Sequence, residues 1–395
     1  MKKRAGIFTI FLLIVTNLFT FYFAKKSSYP AGLDMKKMIK LQLVEDYVKK
    51  NYLREVHEED FYTGQLKGVV NSLEDPYSEY LTKEDMKKLT EETSGSFYGV
   101  GIVVAPGEDN LITVISPIKD SPADKAGIKA GDKIITVNGK EFMASDMQDA
   151  VETMRGEKDT EVKLQVLTGE EKKTIRDITI IRDEIKVETV ISEKIDDLGY
   201  IGITQFSEPT ATEFKEALDS LNKKKIKGLV LDLRGNPGGI VDGATEIADI
   251  LLPEGTIVTS KNRDGNIVEE YKSKEDHLEV PMVVLINKGS ASASEILAGA
   301  IKDFNAGPLI GETSFGKGVI QGVRQFPEGD GIKLTTAEYF TPSGVNIHGI
   351  GIDPDIPVKL KDDAKGIGLE YIDEDTQLQR GIKELHDIIN KRTSL

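Results

Sequence analysis

From about Glu184 to Leu360 the chain alternates short apolar runs with stretches of helical spacing, and this constrains its fold more than any other feature. Tyr200–Phe206, Leu229–Leu233, Met282–Ile286, Val319–Phe326 and Ile332–Phe340 read as strands. Between them, Ala211–Leu221, Gly243–Leu252 and Ala293–Asp303 read as helices. A chain that keeps switching between the two periods folds as an α/β domain. The tail, 361–395, adds one more amphipathic helix with Leu378, Ile382, Leu385 and Ile389 on one face.

Upstream the pattern changes twice. Over residues 93–183 short alternating stretches dominate: Val100, Ile102 and Val104, then Leu111, Thr113 and Ile115. Val162, Leu164 and Val166 pair with Ile175, Ile178 and Ile180 across a turn at Thr168-Gly169-Glu170. One helix, Ser145 to Arg155, interrupts them, so this is a small β-rich module. Residues 34–92 read as helical, with stripes at Met38, Leu41, Val44, Val48 and at Leu66, Val69, Val70, Leu73. Asp75-Pro76 breaks that pattern, and Thr82 to Asp85 caps a further helix.

At the start, Lys2, Lys3 and Arg4 precede an apolar run from Ala5 to Ala24 closed by Lys25 and Lys26. About 20 apolar residues span a bilayer as a helix, and the basic start sets the remainder outside the cytoplasm. Residues 1–26 therefore read as a single-pass signal anchor. A cleaved signal peptide, leaving a secreted protein, is the alternative. The formal charge of −15 argues against general nucleic-acid binding. With no cysteine, thiolate catalysis and Cys-type zinc sites are excluded, and none of the four histidines has a serine partner in a nucleophile motif.

What remains for covalent chemistry is a serine with a lysine base. Ser292 lies in NKGSASASEILAGAIKD, and GETSFGKGVIQ supplies Lys317 and Gln321. Ser292 to Glu295 fits a capping box, which would occupy the serine hydroxyl. The same helix N-terminus favours negative charge, which suits a nucleophile. The two roles compete for one oxygen. Gly311 to Gly318 nearly matches a phosphate loop, but Gly318 offers no hydroxyl for Mg²⁺ and a strand-like run follows. Lys317, set between glycines and ahead of Val319 and Ile320, is placed for burial. A lysine needs that, since lowering its pKa from about 10.4 to 7–8 costs about 4 kcal/mol, which desolvation can supply. Gln321, four residues on along a strand, projects to the same face. The turn Arg234-Gly-Asn-Pro-Gly238-Gly239 ends an apolar strand and can aim backbone N–H groups at a reacting carbonyl.

Two resemblances follow from these residues. The run Tyr98-Gly99-Val100-Gly101-Ile102 with SPADKAGIKAGDKIITVNGKEF resembles a PDZ domain of the permuted bacterial-protease form. This implies that Tyr98 to Ile102 bind a peptide's C-terminal end, with Ser145–Met154 as the other wall. Arg155, at that helix's end, is a candidate regulatory contact. DLRGNPGG, GSASASE and GETSFGKGVIQ, with Gly64 to Leu81, resemble the C-terminal processing peptidases (tail-specific proteases) of serine peptidase family S41. The resemblance implies a crotonase-like (ClpP/crotonase-type) α/β protease core over 184–360, an inserted PDZ domain over 93–183 and an N-terminal helical arm over 34–92. It implies Ser292 as nucleophile, Lys317 as general base and Gln321 as its orienter. The oxyanion hole would be formed by the N–H groups of Ala293 and a turn glycine, assigned to Gly238. No metal and no cofactor are implied. The expected partners are proteins with accessible C-terminal tails, a second copy in a homodimer, and a bacterial cell membrane with the catalytic part extracytoplasmic.

Overall fold

The structure is a computed structural model that describes residues 35–169, 174–361 and 363–394. The expected anchor, 1–26, lies outside the described residues, and no helix among them is long and apolar enough to cross a membrane. The chain divides into two compact units between Glu74 and Asp75.

The first unit holds the helices Met35–Asn51 and Glu58–Asn71. Met38, Leu41 and Val44 are exposed, and the helix that carries them has no buried residue. Lys49 and Glu58 form a 2.8 Å ion pair within this unit.

The second unit begins at the Asp75-Pro76 break. A short strand, Glu79–Leu81, precedes the helix Lys83–Ser94, which opens on the expected cap: Thr82 and Asp85 exchange side-chain and backbone hydrogen bonds. Residues 75–92 thus fold with the second unit rather than with the helices before them. The β-rich module follows. Its sheet runs Ile102–Pro106, Ile112–Pro117, Lys133–Val137, Glu161–Thr168, Thr174–Ile181, all antiparallel. Val162 faces Ile180 and Leu164 faces Ile178, but Val166 faces Arg176. Val162, Leu164 and Val166 pack with Ile112, Ile134, Val137 and Met154 in this module's own core.

The α/β domain is built on a six-stranded sheet, ordered Val190–Ile195, Leu198–Ile203, Gly228–Asp232, Met282–Ile286, Leu309–Gly311, Ile356–Pro357. The first pair is antiparallel and the rest are parallel. Central parallel strands are covered on both faces, which is why they read as continuous apolar runs. Leu229, Leu231, Val284 and Ile286 face one core, with the helices Thr210–Lys223, Val241–Leu251 and Ala293–Asp303. Val230, Val283 and Leu285 face the other, where Leu378 and Leu385 of the tail helix Thr376–Thr393 cover them. The tail helix therefore forms the second covering layer of the α/β domain.

A second sheet lies beside the first. Val319–Gln325 and Gly331–Phe340 form an antiparallel hairpin, and Glu79–Leu81 pairs with Gly331 to Lys333 at one end. Gly255–Lys261 and Ile267–Ser273 extend it.

Candidate active site

The apolar strand Gly228–Asp232 ends at the turn 234–239, and Arg234 anchors that turn. Its guanidinium is fully buried and pairs with two carboxylates, Asp232 Oδ2 at 2.6 Å and Asp375 Oδ2 at 2.7 Å. Burial works against the charged guanidinium, but the two carboxylates outweigh it and hold its pKa above the ordinary value. Asp375 caps the tail helix, accepting from the N–H groups of Gln377 and Leu378. A residue 141 positions away in the chain thus fixes the turn beside the strand.

Beyond Arg234 the turn closes on the next helix. Asn236 Nδ2 donates to the Ile203 carbonyl at 2.9 Å, and the Asn236 carbonyl accepts from Ala291 N–H at 3.0 Å and Ser294 Oγ at 3.0 Å. Ser294 is fully buried in that bond, so its hydroxyl serves the scaffold. A Cβ on Gly238 would stand 2.8 Å from Ser292 Cβ and 3.0 Å from Ala293 N, and only a glycine permits this approach at φ 105°.

Ser292 departs from an ordinary helix cap. Its backbone has φ 54° and ψ −114°, where a cap residue is normally extended. A positive φ on a non-glycine stores about 1–3 kcal/mol and persists only where its surroundings enforce it. Here the Glu295 carboxylate accepts from the Ser292 N–H at 2.8 Å, and the Ser292 carbonyl accepts from Glu295 N–H, Ile296 N–H and the Tyr339 hydroxyl. The hydroxyl faces the first turn of the helix but makes no cap hydrogen bond, because the Glu295 N–H goes to the Ser292 carbonyl instead. Both halves of the capping box are in place: the carboxylate is hydrogen-bonded to the Ser292 N–H, and the hydroxyl is directed at the Glu295 N–H without completing a hydrogen bond of its own.

Glu295 does more than cap. It is fully buried, and Oε1 accepts from Ser314 Oγ at 2.5 Å and Gly316 N–H at 2.7 Å. Oε2 accepts from Ser292 N–H at 2.8 Å and Lys317 N–H at 2.9 Å. One carboxylate therefore ties the backbone of the serine to that of the lysine. Sequence reasoning took Glu295 only as a capping residue, and nothing local distinguishes the larger role.

Ser292, Lys317, Gln321 and Gly238 line one cavity of about 680 Å³, with Phe206, Ile240 and Ile296 among its apolar walls. Ala293, next to the serine, is fully buried at the first helical position. Lys317 is half-buried, and burial, reinforced by the charge of Lys333, lowers its pKa, while Asp75 and Glu295 oppose the shift. Its Nζ lies 4.9 Å from the centroid of the Tyr77 ring. Gln321 Nε2 donates to Thr335 Oγ1 at 3.4 Å. No hydrogen bond joins Ser292, Lys317 and Gln321 side chains to one another among the described residues.

The N–H of Gly238, assigned to the oxyanion hole from sequence, donates to Asn236 Oδ1 at 2.8 Å. Among the described residues, no acceptor takes the N–H of Gly239 or of Ala293.

In the β-rich module, Ser96–Gly99 pairs with Asp183–Lys186, so Tyr98 and Gly99 are already in a ladder. The Val100 and Gly101 carbonyls accept from Ala123 N–H and Ile118 N–H. Ile102–Pro106 and Thr174–Ile181 are the two edge strands of the sheet, so of the expected binding residues only Ile102 stands on an edge. Arg155 pairs with Glu91 at 2.8 Å and stacks over Phe97 at 4.4 Å.

The sequence matches the Peptidase family S41 description over residues 197–358, a PDZ domain over 113–168, and the activating protease CtpB N-terminal domain over 22–85. The chain belongs to the S41 peptidases, which makes it a serine-type peptidase. Within that class it is a carboxy-terminal processing protease with a PDZ domain. It is 40% identical over 389 residues to the carboxy-terminal processing protease CtpA of Bacillus subtilis (strain 168), spanning 96% of this chain and 82% of that one. It is also 40% identical to a carboxy-terminal-processing protease of Bartonella bacilliformis, over 85% of this chain and 78% of the relative. Among solved structures it is similar to a photosystem II D1 C-terminal processing protease, with 30% identity and a TM-score of 0.50 over 84% of this chain and 89% of that one.

Proposed function

We propose that this peptidase is an endopeptidase with a Ser292–Lys317 dyad on a crotonase-like core, and that its PDZ domain receives the C-terminal tails of its substrates. The observation that carries this is Ser292, strained in its backbone and with a hydroxyl that completes no hydrogen bond, lining the same cavity as a lysine with a lowered pKa. The neutral Lys317 amine takes the Oγ proton as Oγ attacks the scissile carbonyl carbon. The negative charge moves to the carbonyl oxygen, where the N–H groups of Ala293 and Gly239 receive it. Collapse breaks the C–N bond, and the lysine returns the proton to the departing nitrogen. Water then attacks the acyl-serine by the same route in reverse. Gln321, once released from Thr335, orients the amine. Catalytic contacts often close only in the substrate complex, which is consistent with the open dyad here.

The tail adds as a strand along Ile102–Pro106, beside the helix Met147–Met154, with the Tyr98–Ile102 loop at its carboxylate end. Arg155 ties that helix to Glu91, and Glu92 and Thr93 of the same segment line the catalytic cavity. Through this contact PDZ occupancy gates the site, a reading supported by the Arg155–Glu91 pair. Residues 1–26 anchor the protein to a bacterial cell membrane and the substrates are exported or membrane-associated proteins. The exposed stripe Met38, Leu41 and Val44 supports pairing with a second copy.

The test is cleavage of an unstructured protein with an apolar tail. Ser292→Ala abolishes it, and adding two aspartates to the substrate's end raises KM. Unchanged cleavage by Ser292→Ala would refute the dyad.

A further inference from the structure

The stretch Gly64 to Leu81 carries part of the family resemblance, yet no role in the chemistry follows from that. In the structure its Asp75-Pro76-Tyr77-Ser78 turn stands beside Lys317. The Lys317 ammonium lies over the Tyr77 ring, 4.9 Å from its centroid. That ring is fixed from several sides. The Tyr77 N–H donates to Asp75 Oδ1 at 3.0 Å, and Ser78 Oγ donates to Asp75 Oδ2 at 2.5 Å. The His348 ring meets Tyr77 edge-on, with centroids 6.1 Å apart. Ser78 Oγ in turn accepts from Thr335 N–H at 3.0 Å, and Thr335 is the residue that holds Gln321. The strand Glu79–Leu81, paired with Gly331 to Lys333, fastens the turn to the hairpin that carries Gln321.

We infer that Tyr77 is the positioning residue of the base: its ring face seats the half-buried Lys317 amine, and the Asp75–Ser78 turn sets ring and Gln321 in register. The inference rests on the reading of Lys317 as general base. The physical reason is twofold. An aromatic face attracts an ammonium without hydrating it, so the lysine is held in place while the ring shields one side of it from water. No acceptor among the described residues takes its protons, so the amine can leave for Ser292 Oγ without breaking a hydrogen bond. The charged and titratable groups around it are Lys333 on the hairpin, Asp75 and Tyr77 in the turn, Glu295 on the nucleophile helix and His348 beside the ring. Lys333 and burial favour the neutral amine; the two carboxylates oppose them, as does the attraction of the ring face itself for the charged form.

Three variants test this in the full chain: Tyr77→Phe, Tyr77→Leu and Tyr77→Ala. Two readouts are taken on each. One is kcat and KM against pH. The other is the pH dependence of acetic anhydride labelling of Lys317, followed by peptide mass spectrometry, which reports the lysine's titration whether or not it is catalytic. Tyr77→Phe keeps kcat within about twofold, because the ring face is retained. Tyr77→Leu lowers kcat by about tenfold with KM within twofold, since apolar bulk remains but the cation's seat is gone. Tyr77→Ala lowers kcat further and moves both the rate profile and the labelling midpoint upward by about one pH unit as water reaches the amine. Leucine behaving as phenylalanine, or a labelling midpoint unmoved in Tyr77→Ala, overturns the seat. A moved midpoint with an unmoved rate profile instead overturns Lys317 as the base and leaves the seat standing.

Discussion

The sharpest consequence of the fold concerns Asp375, far from the serine in sequence and outside the cavity. Its carboxylate accepts five hydrogen bonds. Oδ1 takes Arg234 Nη1 at 2.8 Å and the N–H groups of Gln377 and Leu378 at 3.1 and 3.0 Å. Oδ2 takes Arg234 Nη2 at 2.7 Å and Gly368 N–H at 2.8 Å. Asp375→Asn keeps helix capping, because Asn and Asp are near-equal caps. It also replaces one oxygen by an NH₂ that must face at least two of those donors, and it removes one of the two charges balancing a fully buried guanidinium. Breaking a buried pair from one side costs about 3–5 kcal/mol. The assay is urea unfolding followed by circular dichroism, since the chain has no tryptophan, in a Ser292→Ala background that prevents self-digestion. Burial would raise the Asp375 pKa, but the Arg234 pair and the backbone donors hold it below the ordinary carboxylate range. Its contribution is therefore full above the unfolded value and is lost as pH falls through the lowered one. The gap between the two proteins stays constant from pH 7 to about 4 and closes below that. A gap under about 1 kcal/mol at pH 7, the size of an exposed pair, or one that persists undiminished in acid, would refute the buried-clamp argument.

Three further outcomes follow from the site. Lys317 has a pKa lowered first by burial and then by Lys333, so kcat/KM rises with pH and levels off below the range of a free lysine; Lys333→Gln shifts that rising limb to higher pH by less than about one unit, read from the pH–rate profile. Gly238→Ala places a methyl 2.8 Å from Ser292 Cβ and from the Ala291 carbonyl at φ 105°, and kcat falls by about 10²-fold or more in steady-state assays. Glu295→Gln presents an NH₂ to a site filled by donors from Ser292, Ser314, Gly316 and Lys317, and single-turnover acylation slows by about 10²-fold.

How far this site could be read from sequence depends on the range of the interactions that make it. Met282–Ile286 and Ala293–Asp303 fall where the apolar pattern puts them, because a doubly covered strand and a capped helix are specified by neighbouring residues. The hairpin Gly255–Lys261 with Ile267–Ser273 escaped that reading, since Glu269, Glu270 and Lys272 face outward and break the apolar signal. Gly238 was placed correctly at the turn, but whether its own N–H or its neighbour's is free depends on where the Asn236 side chain turns back. The same holds more strongly for the charges. Ser292 and Glu295 satisfy a common capping pattern, and only the packing of Ser314, Gly316 and Lys317 onto Glu295 turns that cap into a bridge between the backbones of Ser292 and Lys317. Asp375 reaches Arg234 across 141 residues, and Tyr77 reaches Lys317 across the second sheet. Local periodicity carries no information about either contact. The residues of the proposed dyad therefore stand in recognisable motifs, whereas the residues packed around them become visible only when strands distant in the chain are brought side by side.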